Sequence, residues 1–249
     1  MKPAVILVGA DKGGVGKTTV SRALLDYLAA NDIQARAFDT ESPRGTLHRF
    51  HPAATTIVDI TQTTDQMRIL DTLTSSGSQA TVIDVRAGHL TTTLRALRDV
   101  GFLDAVNEGQ FNFAIFHVLG PSVSSLDEIA DIAPYVSDAN YYLVKNFIND
   151  TTFFEWDPKT YASYFSKVQS AGDITVPKLD EMAYEQVELA GIPFADFIAG
   201  KTAKGASAQS SFVLRGYVRT WMRNISAELD RVGLNAQLVP PAVAKSKRR

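Results

Sequence analysis

The chain has 249 residues, of which 45% are hydrophobic and 21% charged, with a formal net charge of −2. This is the composition of an ordinary globular protein and not of a polycation. It contains no cysteine, which excludes disulfides, thiolate metal sites and iron–sulfur clusters. The length fits one large α/β domain, expected here over residues 1–235, with a disordered basic tail over 236–249. No apolar run approaches the roughly 20 residues that cross a bilayer, and Ala4–Val8 is too short for a secretory core. A cytoplasmic chain without a membrane partner is expected.

Strand-like and helical patterns alternate along the sequence. Ala4–Val8 is a continuous apolar run, as in a strand buried on both faces. Thr18–Ala30 then carries Val20, Ala23, Leu24, Tyr27 and Leu28 at helical spacing. Further strands are predicted at Gln34–Phe38, Ala80–Val85, Phe111–Leu119, Tyr141–Phe147 and Ile174–Val176. Helices are predicted near Thr91–Val100, Ser124–Tyr135, Pro158–Ser170, Glu181–Ala190 and Ala208–Val232. Thr40–Ala53 and Gly200–Ser211 read as irregular. The alternation implies an α/β fold: a mostly parallel, doubly wound sheet with helices on both faces.

Between the first strand and the first helix lies Lys12-Gly13-Gly14-Val15-Gly16-Lys17-Thr18-Thr19. Backbone N–H groups can wrap a phosphate only where side chains stay clear, hence the glycines. The helix that follows presents its N-terminal N–H groups and dipole to an anion. Lys17 supplies a cation for β- and γ-phosphates, and the Thr18 hydroxyl suits Mg²⁺. The general phosphate loop has glycine where this chain has Asp11, and Lys12 is an additional cation.

This arrangement resembles the deviant Walker A loop of the ParA/MinD family of ATPases. The resemblance implies binding of ATP and Mg²⁺ by a homodimer that forms when ATP is bound. It also implies that Lys12 reaches the nucleotide of the other subunit, as an arginine finger would. Asp84, closing the apolar strand Ala80–Ile83, looks like the acid that holds Mg²⁺ through water. Asp39 and Glu41 in Phe38-Asp39-Thr40-Glu41-Ser42-Pro43 are similar to the family's acidic switch segment. Asp39 is thereby a candidate for metal and catalysis, and Glu41 for positioning the attacking water. Glu41 is one methylene longer than the family's aspartate and a serine precedes Pro43. Binding is therefore a safer expectation than fast hydrolysis. Arg86 either senses phosphate or pairs with an acid.

Asn146 ends a later strand and resembles the family's base-contacting asparagine, whose amide offers both a donor and an acceptor. Pro177 and Leu179 fall in a segment whose backbone borders the base in the family. Arg215, Arg219 and Arg223 recur at i, i+4 and i+8 on one helical face. The stripe either binds DNA without sequence preference or is a solvated face paired with Glu228 and Asp230. The resemblance implies an ATPase that positions DNA or another cargo, with a partner protein that stimulates hydrolysis. A metabolic enzyme on the same fold and a nucleotide-gated interaction protein with negligible turnover are the alternatives.

Overall fold

A computed structural model describes residues 2–136, 139–148, 153, 157–165, 172–207 and 210–238. The elements, in chain order, are β1 (Ala4–Gly9), α1 (Lys17–Ala30), β2 (Ala35–Asp39), α2 (Thr46–Phe50), β3 (Thr55–Ile57), α3 (Thr63–Leu70), β4 (Ala80–Asp84), α4 (Leu90–Asp99) and α5 (Phe102–Asn107). There follow β5 (Asn112–Leu119), α6 (Val123–Ile132) with a short 3₁₀ turn, β6 (Asn140–Asn146), α7 (Pro158–Phe165), β7 (Gly172–Val176), α8 (Glu181–Ala190), α9 (Phe194–Ile198), α10 (Phe212–Arg231) and α11 (Leu234–Leu238).

The seven strands form one sheet in the order β3-β2-β4-β1-β5-β6-β7, and every pairing is parallel. The central strand explains why. All six residues of β1 are buried, and a strand covered on both faces has no use for alternating polarity. Ala4, Ile6 and Val8 pack with α1, α8, α9 and α10 on one face. Val5 and Leu7 pack with α3, α4, α5 and α6 on the other. Successive side chains point to opposite faces, so one short run anchors two cores.

Strand order runs outward from β1 in both directions. A crevice therefore opens at the carboxyl ends of the central strands, where open α/β sheets bind ligands.

The structure departs from the sequence reading at several places. Residues 40–53, expected to be irregular, contain helix α2. The reason is tertiary: Leu47 and Phe50 are buried, and the Asp39 carboxylate accepts the amides of Leu47 and His48. Strand β3 and helices α3, α5, α9 and α11 were not anticipated either. Of the expected tail, residues 236–238 belong to α11, and 239–249 lie outside the described residues. The same holds for the last residues of the helix expected to Ser170. Among the described residues no helix is long and apolar enough to cross a membrane.

Candidate functional site

The loop from Gly9 to α1 lies in the crevice. Gly16 is the residue before α1, in the left-handed region at φ 89°. A Cβ there would fall 2.2 Å from Asn146 Nδ2, so both conformation and space demand glycine. Lys17 opens the helix and is 8% exposed. Its ammonium donates to the Lys12 carbonyl at 3.0 Å. Burial lowers its pKa, opposed by the charges of Asp84, Glu128, Asp11 and Glu41.

Thr18 and Ser21 face β4 from the first turn of α1. The Thr18 hydroxyl donates to Asp84 Oδ2 and the Ser21 hydroxyl to Asp84 Oδ1, each at 2.8 Å. Asp84 also sits in register with Asp39 on the neighbouring strand. Burial, with the Asp39 charge beside it, pushes the Asp84 carboxyl up to about 7. The donor set here is hydroxyl and carboxylate oxygen, which suits a hard cation such as Mg²⁺.

The two other candidate acids are engaged elsewhere. Asp39 accepts the amide of Glu41 at 2.9 Å, that of Leu47 at 2.6 Å and that of His48 at 3.2 Å. Its carboxylate thus caps α2. The Glu41 carboxylate accepts the Thr46 hydroxyl at the start of the same helix. Thr40 ties this segment to the one after β4, donating to the Asp84 carbonyl and accepting from the Arg86 amide. The Arg86 side chain is exposed.

A cavity of about 580 Å³ opens over the loop. Gly14, Gly16, Lys17, Thr18, Thr19 and Glu41 line one end. The other end has Asn146, Ile148, Pro177, Leu179, Tyr184, Glu185 and Trp221, an apolar wall with a few polar groups. Asn146 is buried, and its amide donates to the Val15 carbonyl at 2.9 Å. This residue therefore braces the loop as well as lining the cavity. The Trp221 indole donates to the Pro177 carbonyl at 2.6 Å, fixing that backbone. Lys12 and Gly13 are exposed at the mouth of the loop, and Val15 is buried beneath it.

The arginine stripe lies apart from this cavity, on α10. Arg219 and Arg223 are exposed, whereas Arg215 is half-buried, with a buried Nε that has no partner among the described residues. Glu228 pairs with Arg231 at 2.8 Å and Asp230 accepts the Tyr27 hydroxyl at 2.7 Å. The acids considered as partners of the stripe are thus taken by other residues.

Of the residues expected at the site from the sequence, Lys17, Thr18, Glu41, Asn146, Pro177 and Leu179 line this cavity, while Asp84 is joined to it through Thr18 and Asp39 lies beside Asp84. Ser21, Tyr184, Glu185 and Trp221 were not expected from the sequence. A polar residue one turn after Thr18, on an otherwise apolar helix face, was a usable signal for Ser21. Nothing local marks Trp221, which reaches the site from the far end of the sequence.

The chain is thus an α/β protein with a parallel seven-stranded sheet and a glycine-rich loop between its central strand and first helix. More narrowly, the fold is that of MinD and ParA-family ATPases. The septum site-determining protein MinD of Pyrococcus horikoshii, solved with Mg-ADP, superimposes with a TM-score of 0.59 over 96% of this chain and 100% of its own, at 14% identity. A protein described as a plasmid partition protein from Borrelia burgdorferi, bound to AMPPNP, gives 0.53 over 94% and 99%, at 13% identity. A ParA-family ATPase of Chlorobium tepidum gives 0.52 over 89% and 98%, at 14% identity. No family model and no curated protein matches the chain.

Proposed function

We propose that this chain is a ParA-like molecular switch that binds MgATP, dimerises with it and hydrolyses it slowly. The observation that carries the reading is Lys12, exposed on the same loop whose Gly14, Gly16, Lys17 and Thr18 line the cavity, and lining a smaller adjoining cavity that shares Gly14, Asn146 and Ile148 with it. In this reading the amides of Gly13, Gly14, Val15, Gly16, Lys17, Thr18 and Thr19 cradle the phosphates. Lys17 neutralises the β- and γ-phosphates, while Thr18 and Asp84 hold Mg²⁺, Asp84 through water. Bound there, the metal neutralises charge on the phosphate oxygens. Pro177 and Leu179 border the base, and Asn146 at the end of β6 braces the loop beside it through the Val15 carbonyl. Lys12 of each copy reaches the nucleotide of the other.

Turnover is slow because the acids that would direct water are otherwise occupied. Asp39 caps α2 and Glu41 holds Thr46. The same contacts favour a second reading, a nucleotide-gated interaction protein whose turnover is negligible.

The output in the leading reading is positioning of DNA or another cargo in the cytoplasm, with hydrolysis stimulated by a partner protein. Arg219 and Arg223, exposed with neighbouring acids engaged elsewhere, support weak, salt-sensitive DNA binding, with Arg215 at the edge of the stripe.

Sedimentation with and without MgATP tests the switch, and DNA retention by the wild type and by Arg219→Glu tests the output. ATP-dependent dimers that Lys12→Ala abolishes are expected, as is DNA retention lost with salt and in Arg219→Glu. An ATP-bound chain that stays monomeric overturns the switch. Failure to retain DNA at low salt in the presence of ATP overturns the DNA role alone.

A further inference from the structure

Asp11 stands where the general phosphate loop has glycine, and both its main chain and its side chain are held. Its amide donates to Glu128 Oε2 of α6 at 2.8 Å. Its carboxylate accepts the Leu90 amide at 2.7 Å, the Thr91 amide at 3.4 Å and the Thr91 hydroxyl at 2.6 Å. Those groups are the first turn of α4, the helix that follows the segment after Asp84. Glu128 is itself anchored: His117 Nε2 lies 3.2 Å from the same oxygen, and His117 Nδ1 lies 2.8 Å from the Tyr141 hydroxyl. His117 is fully buried.

The chain of contacts thus runs from β6 and β5 through α6 to the loop, and onward to α4. Lys12 is the next residue. Its carbonyl accepts Lys17 Nζ, and its stem passes Gly120, where a Cβ would lie 3.6 Å from Lys12 Cγ and only 2.9 Å from Val15 Cγ1. The main chain of Lys12 is therefore fixed on both sides while the side chain stays exposed.

We propose that Asp11 and Glu128 are positioning residues for Lys12: they set the point from which it reaches a second copy of this chain, and Asp11 ties that point to α4. Neither residue lines the nucleotide cavity, but the charges of both bear on Lys17, so the uncharged partner Thr91 separates association from nucleotide affinity most cleanly. The proposal rests on the switch reading given above.

The physical expectation is a split between two measurements. Affinity for a fluorescent ATP analogue with Mg²⁺ stays within about twofold of wild type in Thr91→Val while its dimerisation weakens. Asp11→Ala and Glu128→Ala, which also remove charge near Lys17, are read for dimerisation at saturating nucleotide. ATP-dependent dimerisation, read by sedimentation, weakens about tenfold in Asp11→Ala, the size of one lost charge-assisted hydrogen bond. Thr91→Ser, which keeps the hydroxyl, dimerises like wild type. A merely structural role would lower thermal stability and nucleotide affinity together with dimerisation. Should Glu128→Ala fail to fold, Asp11→Ala and the Thr91 pair carry the test, because Asp11 and Thr91 are only partly buried. Variants that dimerise like a dimerising wild type overturn this proposal alone. A wild type that binds MgATP yet stays monomeric overturns it together with the switch reading.

Discussion

Arg22 of α1 donates to Glu188 of α8 at 2.5 Å from within a sandwich of aromatic rings, its guanidinium carbon 3.4 Å from the Phe50 centroid and 4.3 Å from that of Phe194. Arg22 is 1% exposed, and two of its nitrogens, Nε and Nη2, have no partner among the described residues. Arg49 of α2 adds a second contact, donating to the Glu188 carbonyl at 2.5 Å. The helix that follows the glycine-rich loop, the helix capped by Asp39 and a wall of the cavity thus meet at one residue, Glu188.

Breaking that pair from one side strands a buried guanidinium. Glu188→Ala is expected to cost about 3 kcal/mol of folding stability, the usual penalty for an uncompensated buried charge. Replacing both members, Arg22→Leu with Glu188→Leu, removes the charge altogether and is expected to fall within about 1 kcal/mol of wild type. Urea denaturation of the three proteins decides it, and a single variant as stable as wild type would refute the claim.

Asp26 makes stability depend on pH. It is buried in α1, accepts the Ala195 amide at 3.2 Å, and its carboxyl is pushed up to about 7 chiefly by burial. An unfolded aspartate titrates near 3.9. Between those values the folded chain keeps a proton that the unfolded chain has lost. Stability from this group is therefore complete below about pH 4 and declines as pH rises through 7. Asp26→Asn keeps an acceptor without the charge, so it is expected to be more stable than wild type at pH 8, by about 2 kcal/mol. At pH 4 the difference should vanish. Denaturation curves at both pH values check it, and a constant offset would rule out titration as the cause.

Lys17 offers a contrast between folding and binding. Burial disfavours its charge in the free protein, so Lys17→Ala should leave the melting temperature unchanged or raised. Removing charged hydrogen bonds to phosphate is expected to weaken MgATP binding by about 10- to 100-fold. Calorimetric titration beside a thermal melt tests both halves. Tight binding by the variant would exclude the loop as the phosphate site.

Asn146 can be tested as brace against base reader. Because its amide donates to the Val15 carbonyl, Asn146→Ala is expected to weaken ATP and GTP binding in parallel, by about 1 kcal/mol or fivefold. Competition titrations with both nucleotides give the ratio. A changed ratio would assign the residue to the base instead.

The centre of the sheet was legible because β1, β4 and β5 are buried on both faces and read as apolar runs. Their glycine-rich connection was legible because few other sequences would serve there. What escaped was held by distant partners. Helix α2 takes its cap from Asp39, outside the helix and one strand earlier. Strand β3 is three residues at a sheet edge, Thr55-Thr56-Ile57, with no periodicity to detect. Glu128 supports Asp11 across 117 residues, a separation that no local pattern spans.

Helix α2 begins where Asp39 holds its first amides, and that carboxylate also borders Asp84. Any state in which Asp39 turned toward a metal or a water would uncap α2, at a cost of about 1 kcal/mol. The position of α2 against β2 and the orientation of the Asp39 carboxylate are therefore coupled: displacing the helix would release that carboxylate from the Leu47 and His48 amides. In the proposed switch, a pull on residues 41–49 alone would be enough to reorient an acid in register with Asp84.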